Sequence, residues 1–113
     1  MRSQKTMRDV TPEEFAAAHA EGAFVVDVRE PGEYVDGHVP GAVLLSMGQL
    51  AARLGEMPRG VPLFVICASG NRSKSMTSLL ERAGFDACSV AGGTAAWARA
   101  GRPVVRGVRP HAA

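Results

Sequence analysis

A chain of 113 residues has the length of one domain, with room for a single hydrophobic core and none for a second domain. At 46% apolar and 21% charged residues it has the composition of a globular protein, and a formal net charge of +2 is too small to imply a nucleic-acid partner. The longest apolar run is far short of the about 20 residues of a membrane span, so neither nucleic acid nor membrane is expected as a partner.

The opening MRSQKTMRDV is basic, but Thr11, Glu13 and Glu14 interrupt it before the alanines, so it lacks the apolar core of a secretion signal. A cytoplasmic protein is expected, with residues 1–8 as a flexible N-terminus. Thr11, Pro12 and Glu14 then form a helix start: Thr11 as N-cap, Pro12 at the first helical position, and Glu14 placed to close a capping box. The helix is expected to run to about His19 and stop by Gly22, with Phe15, Ala16 and Ala18 facing inward. Residues 23–26 read as a buried strand ending at Asp27.

Asp27 and Arg29 stand just past that strand's carboxyl end. Arg29 either pairs with Asp27, Glu30 or Glu33 to hold the loop or touches a substrate directly, and pairing is the simpler reading. One helical turn is predicted over 31–35, a loop over 37–41, and a short strand over 42–45. His38, in a loop rich in Gly and Pro, is read as a backbone-bonding histidine and not as a catalytic base. A short helix over 47–54, with Leu50 and Leu54 inward, leads to a turn over 55–60.

The stretch VPLFVICASGNRSKSMTSLL, residues 61–80, carries the chemistry. Its first six residues have the β-branched, apolar character of a strand buried on both faces. Cys67 follows at once, then a small polar loop, then Met76, Leu79, Leu80 and Ala83 at helical spacing before a stop at Gly84. A helix's first turn leaves backbone N–H groups unpaired and carries partial positive charge, so an anion belongs there. A cysteine at that mouth should favour its thiolate, with Arg72 and Lys74 as nearby cations and Gly70 letting the N–H groups converge. Strand end, loop and helix start together mark where open α/β sheets place ligands, so Cys67 is read as a nucleophile.

Residues 87–90 form a further buried strand, Gly92 and Gly93 a tight turn, and Thr94 is expected to cap a last helix over 95–100 closed by Gly101. Trp97 is expected in the core. Arg99, Arg102, Arg106 and Arg109 fall in a stretch without acidic residues; a solvated basic tail over 106–113 is the reading favoured over a phosphate or nucleic-acid contact. Short strands alternating with helices imply a mostly parallel sheet covered on both faces. Cys67 and Cys88 are expected unpaired, and without CxxC, HExxH or clustered histidines no metal is expected.

Three blocks together resemble the single-domain rhodaneses, sulfurtransferases that carry sulfur as a cysteine persulfide. DVREPGEYVDGHVPGA (27–42) is similar to that family's first signature, CASGNRS (67–73) to its active-site loop, and VAGGTAAWARAGRPV (90–104) to its C-terminal block. The resemblance spans about residues 10–105 and implies a rhodanese-like three-layer α/β fold, with a mostly parallel five-stranded sheet and helices on both faces. It also implies Cys67 as the persulfide-bearing nucleophile, cradled by the backbone of Ala68, Ser69, Gly70, Asn71, Arg72 and Ser73, in a domain spanning 9–105. No cofactor is implied. The partners would be a small-molecule sulfur donor (thiosulfate, a polysulfide or a small persulfide), a thiol or cyanide acceptor, and a sulfur-relay protein. The chain departs from many active members at Ala68, where they carry Arg or Lys, so one cation for thiosulfate's sulfonate is missing. Ser46 stands where the family often has proline.

Two other readings use the same residues. The loop logic also suits a cysteine-dependent phosphatase or arsenate reductase, but only four residues separate Cys67 from Arg72, where those phosphatases resemble a loop with five. A binding or regulatory domain without turnover would keep the fold, although inactive relatives usually lose the cysteine.

Overall fold

Short apolar strands separated by helix-length segments can pair only in parallel, because each helix carries the chain back to the starting edge of the sheet. The computed structural model describes residues 8–111 and places five strands: β1 (Asp9–Val10), β2 (Phe24–Asp27), β3 (Val43–Leu44), β4 (Leu63–Ile66) and β5 (Ala87–Val90). They lie in the order β1-β5-β4-β2-β3, with every pairing parallel. The connecting helices are α1 (Pro12–Ala20), α2 (Pro31–Asp36), α3 (Met47–Leu50), which continues as a 3₁₀ segment (Ala51–Glu56), and α4 (Asn71–Arg82); α5 (Gly93–Arg99) follows β5. β1, two residues long, has no periodicity to betray it in the sequence.

Alternation along the strands divides the core into two layers. Val26, Leu63, Val65 and Ala87 pack with Leu50, Met57 and Leu80 on one face. Val25, Ile66 and Val90 pack with Phe15, Tyr34 and Trp97 on the other. The register sets Asp27 beside Ile66 and Val65 beside Ser89, so the chain leaves β2, β4 and β5 at one common edge.

Most expected elements form within a residue or two. α1 has the capping box: Thr11 Oγ1 accepts from Glu14 N at 3.0 Å, and Thr11 N donates to Glu14 Oε1 at 2.8 Å. Two expectations are corrected. The helix expected over 47–54 is α-helical only to Leu50 and breaks at Arg53 (φ −123°), in a short segment where Gly48 and Gly55 lower helix propensity. Thr94 does not cap the last helix. Gly92, in the left-handed region at φ 75°, takes that place, and α5 begins one residue later.

Of the N-terminus expected over 1–8, residues 1–7 lie outside the described residues, and Arg8 pairs with Asp86 at 3.1 Å. The basic C-terminal segment keeps its arginine side chains exposed while its backbone docks: Val105 bridges His38, Gly107 N donates to Val35 O, and Gly41 N donates to Pro110 O. Among the described residues no helix is long and apolar enough to cross a membrane.

Candidate active site

Cys67 is the first residue beyond β4, and the chain needs three more residues to turn into α4. Gly70 makes the turn at φ 113°, in the left-handed region where a residue without Cβ is at no disadvantage. The reversal aims two backbone donors at one point: Gly70 N lies 3.1 Å and Ser73 N 3.3 Å from Cys67 Sγ. Ser73 is the third residue of α4, the position whose N–H a capping oxygen normally takes. The sulfur therefore caps α4, a helix with no side-chain cap of its own.

Ser73 Oγ lies 3.5 Å from the same sulfur. Burial would push the Cys67 thiol up, but the Ser73 hydroxyl and the N–H groups of Ser73, Gly70 and Ser69 outweigh it and draw the pKa down. The residue is 1% exposed, at the floor of the loop. Cys88 provides the contrast: also buried, with its Sγ 3.8 Å from Leu63 O, it is pushed up to about 11 by burial.

α5 holds the loop from behind. Thr94 N donates to Cys67 O at 2.8 Å and Ala95 N to Ala68 O at 3.0 Å. With those carbonyls turned outward onto α5, the loop's N–H groups are left for the sulfur. The approach is so close that a Cβ on Gly93 would run into both carbonyl oxygens. This explains why Thr94 lies inside the helix: its N–H is committed to Cys67.

The expected cations behave differently from the sequence reading. Arg72 turns its guanidinium onto Glu33 of α2, with both N–H···O distances at 2.7–2.8 Å, and this bond holds the Glu33 carboxyl well below its ordinary value, at about 2. A guanidinium fork matches a carboxylate better than a single buried sulfur. Lys74 lies 3.8 Å from Asp9. Arg72 thus fastens α2 to the loop, and the sulfur's hydrogen-bond partners are neutral donors.

Asp27 and Arg29 form a buried bidentate pair, with Arg29 Nε 2.9 Å from Oδ1 and Nη2 2.8 Å from Oδ2, and Nη2 also donates to Gly37 O at 2.9 Å. They brace the 27–37 loop that walls the site. His38 is buried, stacked on Tyr34 at 3.6 Å, with its ring nitrogens 2.8 Å from Tyr34 O and 2.7 Å from Arg109 O. Both nitrogens are engaged by backbone, as expected of a structural histidine. Asn71 is exposed and Ala68 half-buried. A cavity of about 330 Å³ opens beside Ala68, its walls including Arg29, Glu33, Thr94 and Arg106. Sequence reading passed over Glu33 as the partner of Arg72 and Ser89 as the neighbour of Ser73; the signal for Ser89 was a hydroxyl inside an otherwise apolar strand.

Such a site can hold a sulfur anion and use it as a nucleophile without a separate base. Among the described residues no cluster of three His, Cys, Asp or Glu could hold a metal.

Comparison with known proteins agrees with the fold. A family model for the rhodanese-like domain matches residues 11–100. The chain is 37% identical over 89 residues to the thiosulfate sulfurtransferase GlpE of Pseudomonas entomophila, covering 78% of this chain and 82% of that protein. It is 35% identical over 89 residues to a sulfurtransferase of Allochromatium vinosum, covering 78% and 83%. Among solved structures, a rhodanese-related protein from Thermoplasma volcanium superposes with a TM-score of 0.82 at 28% identity, over 90% of this chain and 99% of that one.

Proposed function

This chain belongs to the rhodanese-like domain family, and on that premise we propose that it transfers a sulfane sulfur from a donor to a nucleophilic acceptor through a persulfide on Cys67. The observation that carries the proposal is the Cys67 sulfur held by the N–H groups of Gly70 and Ser73 at 3.1 and 3.3 Å. In the first displacement the Cys67 thiolate attacks the outer sulfur of the donor. A new S–S bond forms, and the donor's own S–S bond breaks with its electron pair on the leaving group, which is sulfite for thiosulfate. In the second, a thiolate or cyanide attacks the outer sulfur, and the pair of the breaking S–S bond returns to Cys67. No net oxidation occurs.

The loop's remaining N–H groups then serve the persulfide anion as preorganised donors, an arrangement in which losing one donor typically costs about 3 kcal/mol. The cavity beside Ala68 takes the donor's other end, with Arg106 on its wall beside Arg29, which is paired with Asp27. With Ala68 supplying no charge and Arg72 engaged by Glu33, polysulfides and small persulfides suit the site as well as thiosulfate does. The same engagement leaves no guanidinium in the bowl for a phosphate, which favours sulfur over phosphoryl chemistry. The unpaired Cys67 and Cys88 fit a reducing, cytoplasmic setting.

Intact mass after incubation with thiosulfate or a polysulfide tests this. A gain of one sulfur atom, removed by a thiol and never seen in Cys67→Ser, is the expected result. No gain with any donor, in a protein that is folded, overturns it.

A further inference from the structure

Beneath Ser73 lies a second hydroxyl that the cradle itself does not use. Ser89 of β5 is fully buried, and its Oγ is 2.7 Å from Ser73 Oγ, the only hydrogen-bond partner of that hydroxyl among the described residues. Ser73 Oγ has two further neighbours, Gly70 O at 3.1 Å and Cys67 Sγ at 3.5 Å. Ser73 has one proton for three acceptors, and each hydroxyl oxygen can also accept.

The protons can be counted. With Cys67 as a thiol, S–H and the Ser89 hydroxyl both donate to Ser73 Oγ, and Ser73 donates to Gly70 O. With Cys67 as a thiolate, the Ser73 proton swings to the sulfur while Ser89 goes on donating. Ser89 is a donor in both states, since an inaccessible hydroxyl with one partner has nowhere else to place its proton. Were Ser89 to accept instead, the Ser73 proton would be drawn away and the sulfur would lose its hydroxyl donor.

We propose that Ser89 is a positioning residue for the Cys67 nucleophile: it donates to Ser73 Oγ, so that the Ser73 proton is free for the sulfur and is polarised toward it. The proposal rests on the reading of Cys67 as the nucleophile. Hydrogen bonds in a chain strengthen one another by about 10–30%, so the effect is a modest one transmitted through Ser73. Among the charged groups on the elements around the loop, Asp27 pairs with Arg29, Glu33 with Arg72 and Asp9 with Lys74, and substitution at Ser89 leaves those pairs in place.

The test is the rate of Cys67 alkylation by iodoacetamide as a function of pH, followed by peptide mass. It needs no sulfur transfer, so it remains readable even if the sulfurtransferase reading fails. Ser89→Ala should move the midpoint up by about half a pH unit and Ser73→Ala by about one or more, as expected for loss of a hydrogen bond to a charged group. The double variant should match Ser73→Ala alone, because Ser89 acts through Ser73. Ser89→Thr, which keeps the hydroxyl, should restore the wild-type midpoint; if Ser89→Ala does not fold, Ser89→Cys, nearly isosteric and a weak donor, should show the same upward shift. An unchanged midpoint in a folded Ser89→Ala or Ser89→Cys, or shifts that add in the double variant, overturns the proposal.

Discussion

Glu33 and Arg72 show how one side chain's role depends on a partner that its neighbours in sequence do not reveal. Arg72 follows Cys67 by five positions, so a cation for the thiolate was the natural expectation. Instead the guanidinium lies on a carboxylate 39 residues earlier in the chain. The consequence is a pH dependence that can be measured. Glu33 has a pKa of about 2 in the folded protein against an ordinary 4.5. Its ion pair therefore contributes fully above pH 4.5, and the contribution is lost as the pH falls from there to about 2. The partners are 35% and 37% exposed, so water screens the pair and its worth is under about 1 kcal/mol. Melting curves should place Glu33→Gln slightly below wild type at pH 7, and the gap should close by pH 2. A gap that persists in acid would mean that the substitution acts by something other than charge.

Between elements, the decisive contact is α5 against the loop. The strand–loop–helix order around Cys67 is local, written in a β-branched run, a glycine and a helical repeat, and it was legible. What holds the loop open toward the sulfur is the first turn of α5, where Thr94 N and Ala95 N take the carbonyls of Cys67 and Ala68. Gly93 is required there for two reasons: its φ of 59° is left-handed, and a Cβ would overlap those carbonyls. Gly93→Ala should lower stability by about 1–3 kcal/mol and weaken sulfur transfer more than the stability loss explains, because α5 must retreat and release the loop. Denaturant melts beside transfer rates check this. A variant with normal transfer would show that α5 does not set the loop geometry.

Over the whole molecule, the C-terminal segment closes the fold on the side of the site. Its backbone caps His38 through Arg109 O and the 35–41 loop through Gly107 N and Pro110 O, and Arg106 reaches the wall of the cavity beside Ala68. Removing residues 106–113 takes away the backbone partners of a His38 ring nitrogen and of the Gly41 N–H, which costs about 1 kcal/mol for each hydrogen bond lost. The truncated chain should melt at lower temperature and show a raised KM for thiosulfate with a smaller change for an uncharged organic trisulfide donor. Equal effects on both donors would assign the segment to stability alone.

The sequence by itself determined what depends on neighbours along the chain. The Thr11 capping box, the buried strands, the αL glycine after Cys67 and the place of that cysteine at a strand's end all follow from steric and hydrogen-bonding preferences spanning a few residues. The structural reading of His38 followed in the same way, from a loop of Gly and Pro. Tertiary structure decided the rest. It chose Glu33 for Arg72, Asp9 for Lys74, Ser89 for Ser73 and Gly92 over Thr94 as the cap of α5. These choices join residues brought together only when parallel strands align their carboxyl ends, and such distant pairings leave no periodic mark in a single sequence.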